Sequence, residues 1–140
     1  METEILSFLK NNKPQLCVLS TVNETGKPEC AVLAYVVLDD LSLIISTHSS
    51  TRKWENLANN KHVAATMGWD FVHPNVQYEG EAECMEQGSD YEWHQKTYFA
   101  VHPELKQFKS PNTVFIKVKP KWIRMTDLSQ HPPKIAEIKL

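Results

Sequence analysis

Ser46-Thr47-His48-Ser49-Ser50-Thr51-Arg52-Lys53-Trp54-Glu55-Asn56-Leu57 joins a short apolar run to a helix-like one. Hydroxyl side chains lead directly into an Arg-Lys pair. The first turn of a helix exposes unpaired backbone N–H groups and the positive end of the helix dipole. Hydroxyls donate to phosphate oxygens, lysine adds a point charge, and arginine grips two oxygens with its planar fork. This combination suits a phosphate monoester. The same residues also suit a plain capped surface helix, because Ser and Thr are favoured N-caps. The flanking sequence favours the first reading.

Upstream, Gln15 to Val22 reads as a strand, Asn23-Glu24-Thr25-Gly26-Lys27-Pro28 as a turn, and Glu29 to Leu38 as a second strand. Asp39-Asp40 turns the chain into a third, Leu41 to Thr47, and the short connections make an antiparallel meander. Downstream, the helix opened near Ser50 ends at Asn59-Asn60, with Trp54 and Leu57 on its buried face. His62 to Trp69 and Val76 to Met85 are the fourth and fifth strands. Gly88-Ser89-Asp90 leads into a helix carrying Tyr91, Trp93, Tyr98 and Phe99, which pack it on the sheet, and Ser89 with Glu92 offers a capping box. His102-Pro103 interrupts that helix, and a short helical piece continues to Phe108. Thr113 to Lys119 is the sixth strand; Pro120 breaks or bulges it, and Trp122 to Met125 extend it. A short helix, Thr3 to Leu9, precedes everything, and 129–140 reads as an arm lying on a surface. The expectation is a mainly β fold with inserted helices: one domain over 1–140, built as a six-stranded antiparallel split β-barrel.

Bulk composition narrows the function classes. A chain of 140 residues, with 41% hydrophobic and 23% charged residues, buries one real core. A net charge of −2 gives no field to draw nucleic acid or an anionic membrane, so neither is expected as a partner. Cys17, Cys30 and Cys84 form no C-x-x-C pair, which argues against a zinc knuckle or a redox dithiol. Cys17 and Cys30 lie in apolar runs, where a free cysteine acts as a small buried hydrophobe. The start is unlike a secretory leader, and the longest apolar run, Ala31 to Leu38, is too short to span a bilayer. A soluble cytoplasmic protein is expected. The histidines form no H-x-x-x-H or H-x-H pair, so no metal site is expected either.

Three stretches, in this order, resemble the pyridoxamine 5′-phosphate oxidase-like family of FMN-binding split barrels. They are Gly26-Lys27-Pro28 leading into a long apolar strand, Ser46-Thr47 followed by Thr51-Arg52-Lys53 and Asn56-Leu57, and Val76-Gln77-Tyr78-Glu79-Gly80-Glu81-Ala82. The run Val118 to Arg124 is similar to the family's closing strand. The resemblance covers about Gln15 to Asp127 and implies a homodimer with FMN in a groove at the subunit interface. It implies that Thr47, Thr51, Arg52 and Lys53, with Ser46 beside them, hold the FMN phosphate and nearby ribityl oxygens. Ala31, Val32 and Leu33 would run beneath the flavin ring. Asn75 falls near a position where a polar amide meets the cofactor, contributed by the partner subunit. Trp122 joins the cofactor-binding set, with a packing role left open.

The chain also departs from the oxidases proper. Those are longer, carry a basic residue where this chain has Ala31, and bring Arg and His from their C-terminal end onto the substrate phosphate. This chain has Gln130-His131-Pro132-Pro133-Lys134 instead. The implied function is therefore a flavin-dependent oxidoreductase acting on an unidentified small-molecule substrate, with NAD(P)H as a candidate reductant, and not a pyridoxamine phosphate oxidase. The alternatives are a non-catalytic flavin carrier or sensor, or a barrel that binds F420 or haem, for which His48 and His94 are the candidate axial ligands.

Overall fold

In β1 (Leu16–Val22), Cys17, Leu19 and Thr21 are buried while the residues between them are half-exposed. That period of two is what a strand with one face on a core requires. In the computed structural model, which describes residues 1–140, the elements follow as α1 (Glu2–Asn11), β1, β2 (Pro28–Val37), β3 (Leu43–His48) and α2 (Arg52–Asn59). Then come β4 (His62–Met67), β5 (Asn75–Met85), α3 (Ser89–Val101), a 3-10 helix (Pro103–Phe108), β6 (Thr113–Asp127) and β7 (Lys134–Lys139). All strand pairs are antiparallel, in the order β3-β2-β1-β4-β5-β6-β7, and a β3–β6 pairing closes six strands into a barrel. The protein is thus a mainly β split barrel with added helices.

The interior holds Tyr35, Leu43, Ile45, Tyr78, Ile116 and Ile123, all essentially inaccessible. Both tyrosine hydroxyls find acceptors, Tyr35 on the Leu9 carbonyl and Tyr78 on the Leu41 carbonyl (2.7 Å each), as buried phenols require. Ile5 and Leu9 of α1 complete this core. A second, smaller cluster lies outside the barrel, where Val36, Ile44 and Phe115 meet Tyr98 and Phe99 of α3. Tyr98 and Phe99 each pack edge-on against Phe115.

Pairing also shows where the barrel opens. β2 pairs with β1 along Pro28–Ala34, but with β3 only along Tyr35–Val37. β3 meanwhile runs on with β6 as far as His48. The first half of β2 and the end of β3 therefore part, and α2 begins at the parting.

Several expectations change in the structure. The sixth strand is one 15-residue element running through Pro120. The lost N–H is tolerated because the register slips between Glu79 and Gly80, opposite Pro120. Residues 134–139, expected as a surface arm, form β7 on the second half of β6. Gly88, with φ +98°, is the N-cap of α3 in place of Ser89, and no side-chain cap bond forms. Glu92 instead accepts from Gln95 Nε2. Cys30 is exposed, since even-numbered positions of this half of β2 point outward. Trp93 is 51% exposed and so packs little of α3 against the sheet. No helix is long and apolar enough to cross a membrane.

Gly80 is where β5 and β6 come closest. A Cβ there would collide with the Lys119 carbonyl oxygen and lie 2.8 Å from Val118 Cγ1. Gly80→Ala is expected to lower unfolding stability by about 1–3 kcal/mol, as overpacking does. A urea melt with an unchanged midpoint would show that the two strands relax apart at no cost.

Candidate cofactor site

At the parting of β2 and β3 the chain leaves β3, turns, and enters α2. Thr51 is the N-cap, with extended φ −82° and ψ 156°. Its hydroxyl does not cap the helix: Thr51 Oγ1 donates back to the His48 carbonyl (2.9 Å) and lies 3.1 Å from Thr47 Oγ1. Lys53 Nζ in turn donates to Thr47 Oγ1 (3.3 Å). The relay runs one way, from Lys53 to Thr47 to Thr51 to a carbonyl. The N–H groups of the first turn of α2 stay free of intrahelical partners.

A second network fixes the other side. The buried Asn56 amide uses both N–H bonds, one to Thr21 Oγ1 (3.0 Å) and one to Glu29 Oε1 (2.9 Å). The second oxygen of Glu29 accepts from Arg52 Nη1 (3.1 Å). The Asn56 hydrogen bond, followed by the Arg52 charge, holds the Glu29 carboxyl below the usual glutamate range despite some desolvation. Lys53 has no carboxylate partner. Burial first, and the Arg52 guanidinium second, pull its ammonium below the ordinary lysine value.

These two networks wall a cavity of about 330 Å³, whose lining includes Thr21, Glu29, Ala31, Thr51, Arg52 and Lys53. Its volume is within the range of small-ligand sites. Two cations face one carboxylate, which leaves a positive remainder at a helix N-terminus. That is the electrostatic form of an anion site. Thr51, Arg52, Lys53 and Ala31 thus meet at one cavity, and Thr47 joins them through its hydroxyl.

The remaining sequence-derived residues lie elsewhere. Leu33 shares the Ala31 face of β2 and packs against the main core. Val32 points to the opposite, outer face and is 62% exposed. Ser46 also faces away, donating to the Val114 carbonyl (3.4 Å) and lining a separate pocket with His48 and Phe108. Asn75 pairs with Thr126 at the end of β5, next to Met67 of β4. By register that end is level with Leu16 of β1, five residues from Thr21. The offset is roughly 17 Å along the strands, plus the width of two strands. Trp122 lines an outer groove of about 290 Å³ with Val18, Ser20, Thr66 and Gln77. Glu137 of β7 accepts from its indole N–H, and Arg124 stacks 5.5 Å from the ring.

Thr21, Glu29 and Asn56 were missed from sequence. For Glu29 a signal existed, since it shares a strand face with Ala31 two residues on. Asn56 stands in the stretch that carries the family resemblance, but nothing in the sequence marks its amide as buried and bonded to Thr21 and Glu29.

Residues 1–127 match the family model for pyridoxamine 5′-phosphate oxidase. The pyridoxine/pyridoxamine 5′-phosphate oxidase of Serratia proteamaculans is 31% identical over 94 residues, which are 67% of this chain and 41% of that protein. The chain therefore spans less than half the length of such curated relatives. A pyridoxamine 5′-phosphate oxidase-related, FMN-binding protein of Nostoc punctiforme superposes with a TM-score of 0.75 at 14% identity, covering 99% of this chain and 95% of its own. A heme-binding protein of Mycobacterium smegmatis reaches 0.80 at 12% identity, covering 99% of this chain and 57% of its own. These two likenesses show the fold. The family match spans nearly the whole chain, and the chain belongs to the pyridoxamine 5′-phosphate oxidase family.

Proposed function

We propose that this chain binds FMN at the α2 cavity and acts as a flavin-dependent oxidoreductase on a small molecule, as a homodimer. The observation that carries the reading is Lys53: a half-buried ammonium without a carboxylate, beside Arg52 and a hydroxyl relay. A phosphate monoester carries about −1.5 to −2 charges near neutrality and answers that excess. Arg52 spends one N–H on Glu29 and retains others for phosphate oxygens. The half of β2 that has left β3 offers unpaired backbone N–H and C=O groups to a planar ring with polar edges.

Bound FMN supplies hydride and single-electron transfer. The chain's own work is to hold the phosphate with Arg52, Lys53 and Thr51, and to orient those groups through Glu29, Asn56 and Thr47. Haem fits this cavity less well. His48 Nε2 donates to the Phe108 carbonyl (3.2 Å), and buried His94 donates from Nδ1 to the Asp90 carbonyl (2.6 Å). Neither imidazole lines the cavity. F420 also carries phosphate, and a spectrum separates it from FMN.

Two observations support the dimer. The outer face of β2, β1, β4 and β5 exposes Val32 and carries Val18, Ser20, Ala64 and Thr66, with no helix over them. By register Asn75 is displaced along and across the sheet from its own chain's cavity, which supports its contribution from a second copy. Ala31, where the resemblance sets a basic residue in the oxidases proper, supports a substrate other than pyridoxamine phosphate. The free cysteines suit a reducing cytoplasm.

An absorbance spectrum of the purified protein, repeated after adding FMN and removing the excess, is expected to show oxidised flavin at one per chain. Replacing Arg52 and Lys53 together by Ala should weaken FMN by about tenfold or more. A protein that refuses FMN overturns the reading, and unchanged affinity in the double variant removes the phosphate site. FMN affinity should also fall in the alkaline range, at a lower pH than an ordinary lysine would set, because burial and the Arg52 charge make Lys53 lose its proton earlier. Lys53→Arg should shift that fall to higher pH, and a titration showing no shift would exonerate Lys53. Val32→Asp should move the protein from dimer to monomer in sedimentation, and an unaltered dimer would place the interface elsewhere.

A further inference from the structure

A second basic feature lies on the other side of β3. α3 and the 3-10 helix that follows it enclose a cleft of about 510 Å³ lined by Gln95, Lys96, Phe99, Ala100, Lys106 and Lys109. None of its three lysines pairs with a carboxylate, whereas Lys10, Lys61, Lys119, Lys121 and Lys134 all do. The nearby acids bond to groups other than these lysines. Glu92 stands four residues before Lys96, the spacing at which a helical ion pair forms, yet it accepts from Gln95 Nε2 (3.3 Å). Glu104 turns toward His102 Nδ1 (3.6 Å). Asp90, Glu92 and Glu104 share these two helices with Lys96 and Lys106, and none of them forms an ion pair with a cleft lysine.

The walls add to the field. Phe99 and Ala100 form an apolar floor, and low-dielectric walls focus the potential of the charges above them. The cleft meets a smaller pocket of about 150 Å³ through Phe99 and Lys109, and that pocket adds Ser46, His48, Thr113 and Phe108, itself 63% exposed. His48 and Ser49 tie this region to the loop before β6, through the Phe108 and Asn112 carbonyls. The cleft is separate from the Arg52–Lys53 cavity, with which it shares no lining residue.

We propose that the α3 cleft is a second anion site, which takes a small ligand bearing two or more linked phosphate groups on Lys96, Lys106 and Lys109. Three lysine ammonium groups lining one cleft, without planar forks, suit charge density more than bidentate geometry, and a diphosphate supplies more charge than a monophosphate. Phe108 offers an apolar face to whatever organic part the ligand carries. The site does not depend on FMN being the cofactor.

The test is a calorimetric titration with sodium pyrophosphate at low ionic strength, on the protein as purified and again after incubation with FMN. Pyrophosphate is expected to bind at one site per chain, about tenfold tighter than inorganic phosphate. The Lys106→Glu, Lys109→Glu double variant should lose that binding by at least about tenfold while the Arg52→Ala, Lys53→Ala variant retains it. Should the charge reversals impair folding, judged by far-UV circular dichroism, Lys106→Ala with Lys109→Ala reads the same loss. Binding no tighter than phosphate overturns the proposal. So does binding that survives the lysine substitutions, or that disappears with Arg52 and Lys53, since pyrophosphate would then merely occupy the first cavity.

Discussion

The side-chain amide of Asn56 fixes the geometry on which the anion cavity depends. It is 6% exposed, sits inside α2, and spends its two N–H bonds on Thr21 of β1 and Glu29 of β2. A buried amide left unpaired costs about 1–3 kcal/mol, so the helix has one favourable seat against the sheet. That seat brings Arg52 to the free oxygen of Glu29 and stands Lys53 over Thr47. The cationic face of the cavity is therefore set from below, by a network with no charge until Glu29. A local change at Thr21 would reach Arg52 through three hydrogen bonds, by way of Asn56 and Glu29.

Much of this was legible in the sequence because it depends on local periodicity. The strand from Gln15 to Val22, the Asn23–Pro28 turn, and the helix that follows the hydroxyl-rich segment each read correctly without tertiary knowledge. Continuity through Pro120 was hidden, because a proline normally ends a central strand and only the partner's slip at Gly80 lets it pass. β7 was hidden for a related reason. Its pattern, Ile135, Ala136 and Ile138 among charges, becomes a strand only because the second half of β6 has no β3 beside it. The α3 cap was misread because Ser89 looks like a cap by type, whereas the positive φ at Gly88 sets the entry.

Candidate site residues divide along the same line. Those within one local segment, Thr47 and Thr51 to Lys53, come together because a strand–turn–helix fixes them over a few residues. Val32 and Leu33 came with Ala31 through the family resemblance, but side chains of neighbours on a strand face opposite ways, which sends Val32 to the outer face. Asn75 and Trp122 lie at other places on the sheet, beyond anything spacing along the chain could reveal.

The two ends of the proposed cofactor site are built on different physical terms. The phosphate end is finished within one chain: charges, hydroxyls and a buried amide hold one another through short hydrogen bonds, as a preorganised anion site needs. The ring end has only the free edge of β2 and an uncovered outer face of small and β-branched side chains. α3 cannot cover that face, because Tyr98 and Phe99 are committed to Val36, Ile44 and Phe115 on another part of the barrel. The proposed second copy would meet the need at both points, covering the small residues and bringing an Asn75 from outside. On this reading the chain recognises a phosphate alone, whereas ring binding and assembly are one event, so affinity for the whole cofactor should depend on protein concentration where affinity for a bare phosphate monoester does not.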